Sequence, residues 1–204
     1  MTIDVPAARR RVPLPENDPN LSYRPGSPER AELKARLAAM AGEVIDIPII
    51  IGGREIRTGD TGTVVMPHDH AHVLATWHKA TPAFAAEAAA SALEARREWA
   101  SWSFDDRAAV FLRAAELLTT TWRPTLNAAT MLGQSKTAYQ AEIDAASELV
   151  DFWRFNVAFA QELLGQARAR PRLVNWVLKR DGGMTCGGSV KLYFEARGGA
   201  GGAD

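Results

Sequence analysis

One stretch constrains the fold of this 204-residue chain more than any other: "TAYQAEIDAASELVDFWRFNVAFAQELLG", from Thr137 to Gly165. Its apolar spacing predicts a single helix of about 28 residues, and so about 42 Å long, that ends at Gly165. Glu148, Phe152, Phe155 and Phe159 fall at i, i+4, i+7 and i+11 and share one face of it. A carboxylate on an aromatic stripe is unusual, because buried without a partner it would cost several kcal/mol or take up a proton. Two readings stand. Glu148 meets a cation or faces a cavity, or it pairs at the surface with a basic side chain of a neighbouring helix. Asp144, Glu148 and Asp151 also fit a solvated acidic face, while Leu149 and Trp153 are core candidates.

The elements before it each carry a local signal. Ser27 is an N-cap with Pro28 at the first helical position, and Leu33, Leu37 and Met40 form an apolar stripe on a helix ending near Ala41 or Gly42. "DIPIIIGGREIRTGDTGTVVMP" changes the period to that of strands. A β-branched run, a Gly52-Gly53 turn and a return strand from Glu55 to Thr58 predict a hairpin, with a second turn before Val64 and Val65. "HVLATWHKA" predicts a further strand, after which Thr81 and Pro82 open the helical region. In its first helix Phe84, Ala88, Ala92, Ala95 and Trp99 line one face, where alanines allow a neighbour to approach closely. Ser103 and Asp106 make a capping-box-like start for a second helix with the stripe Val110, Phe111, Ala114 and Leu118. Pro124 begins a shorter third helix that Gly133 terminates.

The chain therefore divides into an extended proline-rich arm (1–26), a helical and hairpin part (27–165) and a tail (166–204). The tail is arginine-rich and then glycine-rich, with half of the chain's 16 glycines from Gly182 onward. Such a composition packs poorly and is expected to be disordered.

Charge and composition exclude several functions. With 47% hydrophobic and 24% charged residues, and 24 basic against 24 acidic side chains, the chain has no net field for nucleic acid or acidic lipid. A single cysteine, Cys186, rules out an internal disulfide and points to a reducing, cytoplasmic setting. No apolar run reaches the roughly 18 residues of a membrane span. His68, His70 and His72 alternate, as ligands on one strand face would, yet Pro67 and the "HDH" sequence read as a turn that splays them, so no metal site is expected. "MLGQSK" lacks the spacing of a phosphate-binding loop.

The phrases "GSPERAELKARL", "IPIIIGGREIRTGD", "PHDHAHVLATW", "EARREWASWSFDDRAAVFLRAAELL" and "MLGQSKTAYQAEIDAASELVDFWRFNVAFAQELLGQ" occur in an order and spacing that resembles a known family. The resemblance, from about Tyr23 to Gln166, is to the N-terminal part of the L-glutamate gamma-semialdehyde (1-pyrroline-5-carboxylate) dehydrogenases, in the aldehyde dehydrogenase superfamily. It implies an α/β fold at family level, of which this chain supplies a mainly α-helical part with a small β-hairpin and lacks most of the Rossmann-type and catalytic domains. It also implies oxidation of glutamate semialdehyde to glutamate with NAD in proline degradation, and a homo-oligomer in the complete enzyme.

The family mechanism implied is cysteine attack on the aldehyde, hydride transfer to NAD and thioester hydrolysis with a glutamate base. The segments that carry it, "PFNF", "ELGGK" and "GQKCS", have no counterpart here, so no catalytic or cofactor-binding residue is assigned and a chain cut short near Gln166, inactive alone, is expected. Asn156 in "RFNV" belongs to the long helix and takes no oxyanion role. Cys186 in "MTCGGS" is an incidental thiol. One role carries over: Glu148 matches an acidic position near the aldehyde pocket, suited to the substrate's ammonium group. A helical module that associates with an intact homologue is the alternative function.

Overall fold

The computed structural model describes residues 12–167, 172–177 and 189–194. Helix α1 (Pro28–Ala41) begins as its sequence dictates, with the Ser27 side chain accepting from the Arg30 amide and Pro28 in the first turn. Three short strands follow: β1 (Ile45–Ile47), β2 (Ile49–Ile51) and β3 (Arg54–Ile56). β2 and β3 pair antiparallel around Gly52 and Gly53, whose φ angles of 57° and 77° lie in the left-handed region that glycine enters without strain. β4 (Thr61–Met66) and β5 (Asp69–His78) form a second antiparallel pair, and β1 lies parallel to β5 on its other side.

The helical layer consists of α2 (Pro82–Ser101), α3 (Phe104–Thr119), α4 (Arg123–Gln134), α5 (Ala138–Ala141) and α6 (Glu148–Ala167), with a π-wound segment, Glu142–Ser147, between the last two. Two small cores hold it together. Tyr23, Leu33 and Ala128 join the arm, α1 and α4, while Ala115, Leu118 and Val150 join α3 to α6.

Several sequence expectations need correction. The buried line of α3 is Ala108, Ala115 and Leu118, while Val110 and Phe111 are exposed. Small side chains at 108 and 115 let α6 approach, and that contact rotates the helix away from its larger residues. On α2 the expected face is scarcely used: no residue from Pro82 to Ser101 is buried among the described residues, and Glu87 pairs instead with Arg54 of β3. Helix α4 ends at Ser135, in a left-handed conformation with φ of 55°, and not at Gly133. Helix α6 passes Gly165 and is described as far as Ala167.

The tail and arm also differ from expectation. Twelve tail residues form β6 (Arg172–Val177) and β7 (Ser189–Phe194), paired antiparallel. The arm has neither helix nor strand between residues 12 and 24, but it is packed: Asp18 and Tyr23 are buried against the helices.

Candidate functional site

A carboxylate at full burial needs several donors, and the structure supplies five to Glu142, which is 0% exposed. Its Oε1 accepts from the Leu21 amide at 2.7 Å and from Arg123 Nε at 3.1 Å. Its Oε2 accepts from the Tyr23 hydroxyl at 2.6 Å and from Asn127 Nδ2 at 2.7 Å. Arg123 Nη2 completes the set with a close ion pair to Oε1. Burial pushes the Glu142 carboxyl up, but the Arg123 bond and those from Leu21 and Tyr23 outweigh it and hold it below the ordinary glutamate value. Burial likewise opposes the Arg123 charge, yet Glu142 and Asp18 raise its pKa above the usual guanidinium range. The Tyr23 hydroxyl is pushed well above its ordinary value by burial and by its bond to the Glu142 carboxylate.

The same network anchors the arm along α4 and α6. Arg123 Nη1 reaches Asp18 at 2.7 Å, and its Nη2 donates to the Pro19 carbonyl at 2.8 Å. Arg154 holds the other oxygen of Asp18 at 3.0 Å, and Thr119 donates to it at 2.5 Å. Asp151 of α6 accepts from the Asp18 amide at 2.7 Å and from Asn17 at 2.6 Å. Tyr23 has φ of 50°, a left-handed backbone for a bulky residue that costs about 1–2 kcal/mol. Its ring and hydroxyl contacts hold it there.

Sequence reasoning missed Asp18, Tyr23, Arg123, Asn127 and Glu142, because their partners lie more than a hundred residues away or across a change of helical winding. One signal was available. Arg123 is the first residue of α4, where the helix dipole disfavours a cation, so a compensating carboxylate was to be sought.

Glu148 is the first residue of α6, directly after the π-wound segment, and is half-buried. At about 100° per residue, Glu148, Phe152 and Phe159 lie within about 40° of one another on α6, with Phe155 just beside them. The face is graded. Phe155 is 8% exposed, Phe152 is 38% exposed, and the Phe155 and Phe159 rings sit 6.0 Å apart. The core side of α6 is instead the line Val150, Trp153 and Val157. Of the three acidic residues weighed as a solvated face, only Asp144 is exposed; Asp151 is buried. Lys136 pairs with Asp144 at 2.6 Å.

The histidines point to different elements. His68, in the β4–β5 turn, bonds Ser135 at 2.7 Å, while His72 Nε2 donates to the Ala41 carbonyl at 2.7 Å. His78 Nδ1 accepts from the Thr58 amide at 3.0 Å, which leaves its Nε2 proton for Asp46 at 3.1 Å. No group of three histidine, cysteine or carboxylate side chains suited to a metal occurs among the described residues. Asn156 is exposed on α6, and Cys186 lies outside the described residues.

A dinucleotide needs a strand that runs through a glycine-rich turn into a helix N-terminus. The described passage from β5 into α2, Lys79 to Thr81, has no glycine and does not offer that turn, and no cofactor step is assigned to it. What the described residues offer is a half-buried carboxylate, Glu148, on the face of α6 that also carries Phe152, Phe155 and Phe159.

Comparison with known proteins decides the family. Residues 56–183 match the aldehyde dehydrogenase family. The chain belongs to that family. The match extends past Gln166, where the motif resemblance stopped, and includes β6. Delta-1-pyrroline-5-carboxylate dehydrogenase of Agaricus bisporus is 48% identical over 157 residues, which are 76% of this chain and 29% of that protein. The Mus musculus enzyme of the same name, described as mitochondrial, is 45% identical over 150 residues, 74% of this chain and 27% of its own length. Among solved structures, the Delta-pyrroline-5-carboxylate dehydrogenase of Mycobacterium tuberculosis bound with NAD aligns with a TM-score of 0.78 and 50% identity, covering 84% of this chain and 33% of that one. This aldehyde dehydrogenase chain thus spans less than a third of the two curated relatives. No helix among the described residues is long and apolar enough to cross a membrane.

Proposed function

We propose that this chain forms the N-terminal part of an NAD-dependent dehydrogenase that oxidises L-glutamate γ-semialdehyde to L-glutamate in proline degradation. In this reading Glu148 contacts the substrate's ammonium group. The observation that carries it is the position of Glu148: first residue of α6, half-buried, on the edge that also holds Phe152 and Phe159. Relatives 45–50% identical and named as pyrroline-5-carboxylate dehydrogenases support the substrate class.

Because the segments "PFNF", "ELGGK" and "GQKCS" that the resemblance implies have no counterpart in the sequence, the 204-residue chain alone is proposed to be inactive. The test compares the purified chain with a chimaera in which residues 12–167 replace the matching part of the Mycobacterium tuberculosis enzyme. NADH formation from glutamate semialdehyde is expected from the chimaera only. Turnover by the chain alone would overturn the inactivity, and a correctly folded but inactive chimaera would overturn the assignment. A cytoplasmic location belongs to the same proposal and rests on sequence character. The mitochondrial name of the mouse relative makes cell fractionation its test.

A second reading, a helical module that binds an intact homologue, is favoured by one feature. A groove of about 530 Å³ between α3 and α6, lined by Trp99, Phe104, Phe111 and Trp153 among others, presents aromatic surface. Co-purification of the tagged chain with a full-length homologue tests it.

A further inference from the structure

The residues Glu142 to Ser147 are π-wound, and the amide of Glu148 closes that winding by donating to the Ile143 carbonyl, five residues back. In an α-helix two side chains five residues apart point about 140° away from each other, so no single group could hold both. The wider i→i+5 turn brings them towards one side. Arg123 exploits this. Its guanidinium bonds Glu142, the first residue of the segment, through Nε and Nη2, and Ser147, the last, through Nη2 at 3.2 Å. All three are buried, at 5%, 0% and 5% exposure. Arg123 is itself fixed by Asp18 and the Pro19 carbonyl, so the clasp does not move with the helix it holds.

A reversion to α winding would separate Glu142 from Ser147 and break the clasp. Conversely, loss of the clasp removes what ties the segment's two ends. Glu148 is the first residue whose direction depends on the outcome: α6 beyond it is locked by Val150 against α3 and by Asp151 against the arm. A change from i→i+5 to i→i+4 bonding shifts the phase by one residue, about 100° of rotation, at the junction that Glu148 occupies.

We propose that Arg123, acting through Glu142 and Ser147, is a positioning residue that sets the direction of the Glu148 carboxylate and with it the recognition of a cationic aldehyde substrate. This rests on the role of Glu148 given under Proposed function. Lysine at 123 keeps the charge but lacks the fork that spans both ends of the segment.

The test is a double-mutant cycle in the active chimaera, which reads the ratio of KM for glutamate semialdehyde to KM for an uncharged aldehyde of similar length. Arg123→Lys is expected to raise that ratio about three- to tenfold, with kcat for the uncharged aldehyde little changed, and to add nothing in a Glu148→Gln background. Ser147→Ala removes only the far end of the clasp and covers the case in which Arg123→Lys does not fold; a smaller rise in the same direction is expected. In the full 204-residue chain, hydrogen exchange at the Glu148 amide should quicken in both variants. If Glu148→Gln leaves the ratio unchanged, the Glu148 reading itself fails. If Glu148→Gln raises the ratio but neither Arg123→Lys nor Ser147→Ala does, the positioning role alone is overturned.

Discussion

The hydroxyl of Tyr23 and the carboxylate of Glu142, 119 residues apart in sequence, meet at 2.6 Å in the interior. This bond joins the arm to the junction of α5 and α6, and the arm's contribution to stability follows from it. Tyr23→Phe removes one of five donors to Glu142 and should cost about 1.5–3 kcal/mol, as a hydrogen bond to a charged group does. Glu142→Gln removes the closest counter-charge of buried Arg123 and should cost about 3–5 kcal/mol. Because both act on one network, the double variant should lose less than the sum. Urea denaturation of the 204-residue chain measures all three, and full additivity would contradict the shared network.

Acid should loosen the same junction. The folded-state pKa of Glu142 lies below the ordinary value of 4.5, because the donors around it favour the ionised form despite burial. Its contribution to stability is therefore fully present above pH 4.5 and is lost as the pH falls through the lower folded value. Urea midpoints taken from pH 6 downwards should fall in the acid range and fall less steeply in Glu142→Gln. Parallel profiles for the two proteins would assign the acid sensitivity to other groups.

The β2–β3 turn offers a test of backbone geometry without packing. A Cβ added at Gly53 would meet nothing within 4 Å, yet φ there is 77°. Gly53→Ala should thus cost about 1 kcal/mol through strain alone, and Gly53→Asn less, since asparagine tolerates the left-handed region. Equal stability of the alanine variant and the parent would contradict the turn geometry.

What was legible in the sequence was what neighbouring residues decide. Ser27 with Pro28, Ser103 with Asp106, and the paired glycines 52 and 53 each specify a cap or turn within four residues, and each stands in the structure as read. The stripe on α3 was misplaced because its partner, α6, selects Ala108 and Ala115 over larger neighbours. Glu142 was invisible for two reasons. Its donors come from residues 21, 23, 123 and 127, and the π-wound segment breaks the α-helical period on which the reading of the long helix relied. The arm looked unstructured because proline-rich backbone has no period, although Tyr23 is buried in a core with Leu33 and Ala128 and Asp18 is buried through bonds to Arg123, Thr119 and Asp151.

If Glu148 reads the charge of the substrate, its removal should affect a charged aldehyde and spare an uncharged one. In the active chimaera, KM is determined for glutamate semialdehyde and for an uncharged aldehyde of similar length, with glutamate and with glutamine at position 148. Loss of a charge-assisted contact of about 1.5 kcal/mol predicts roughly a tenfold rise in KM for glutamate semialdehyde and little change for the uncharged aldehyde. Equal changes for the two substrates would contradict this role of Glu148.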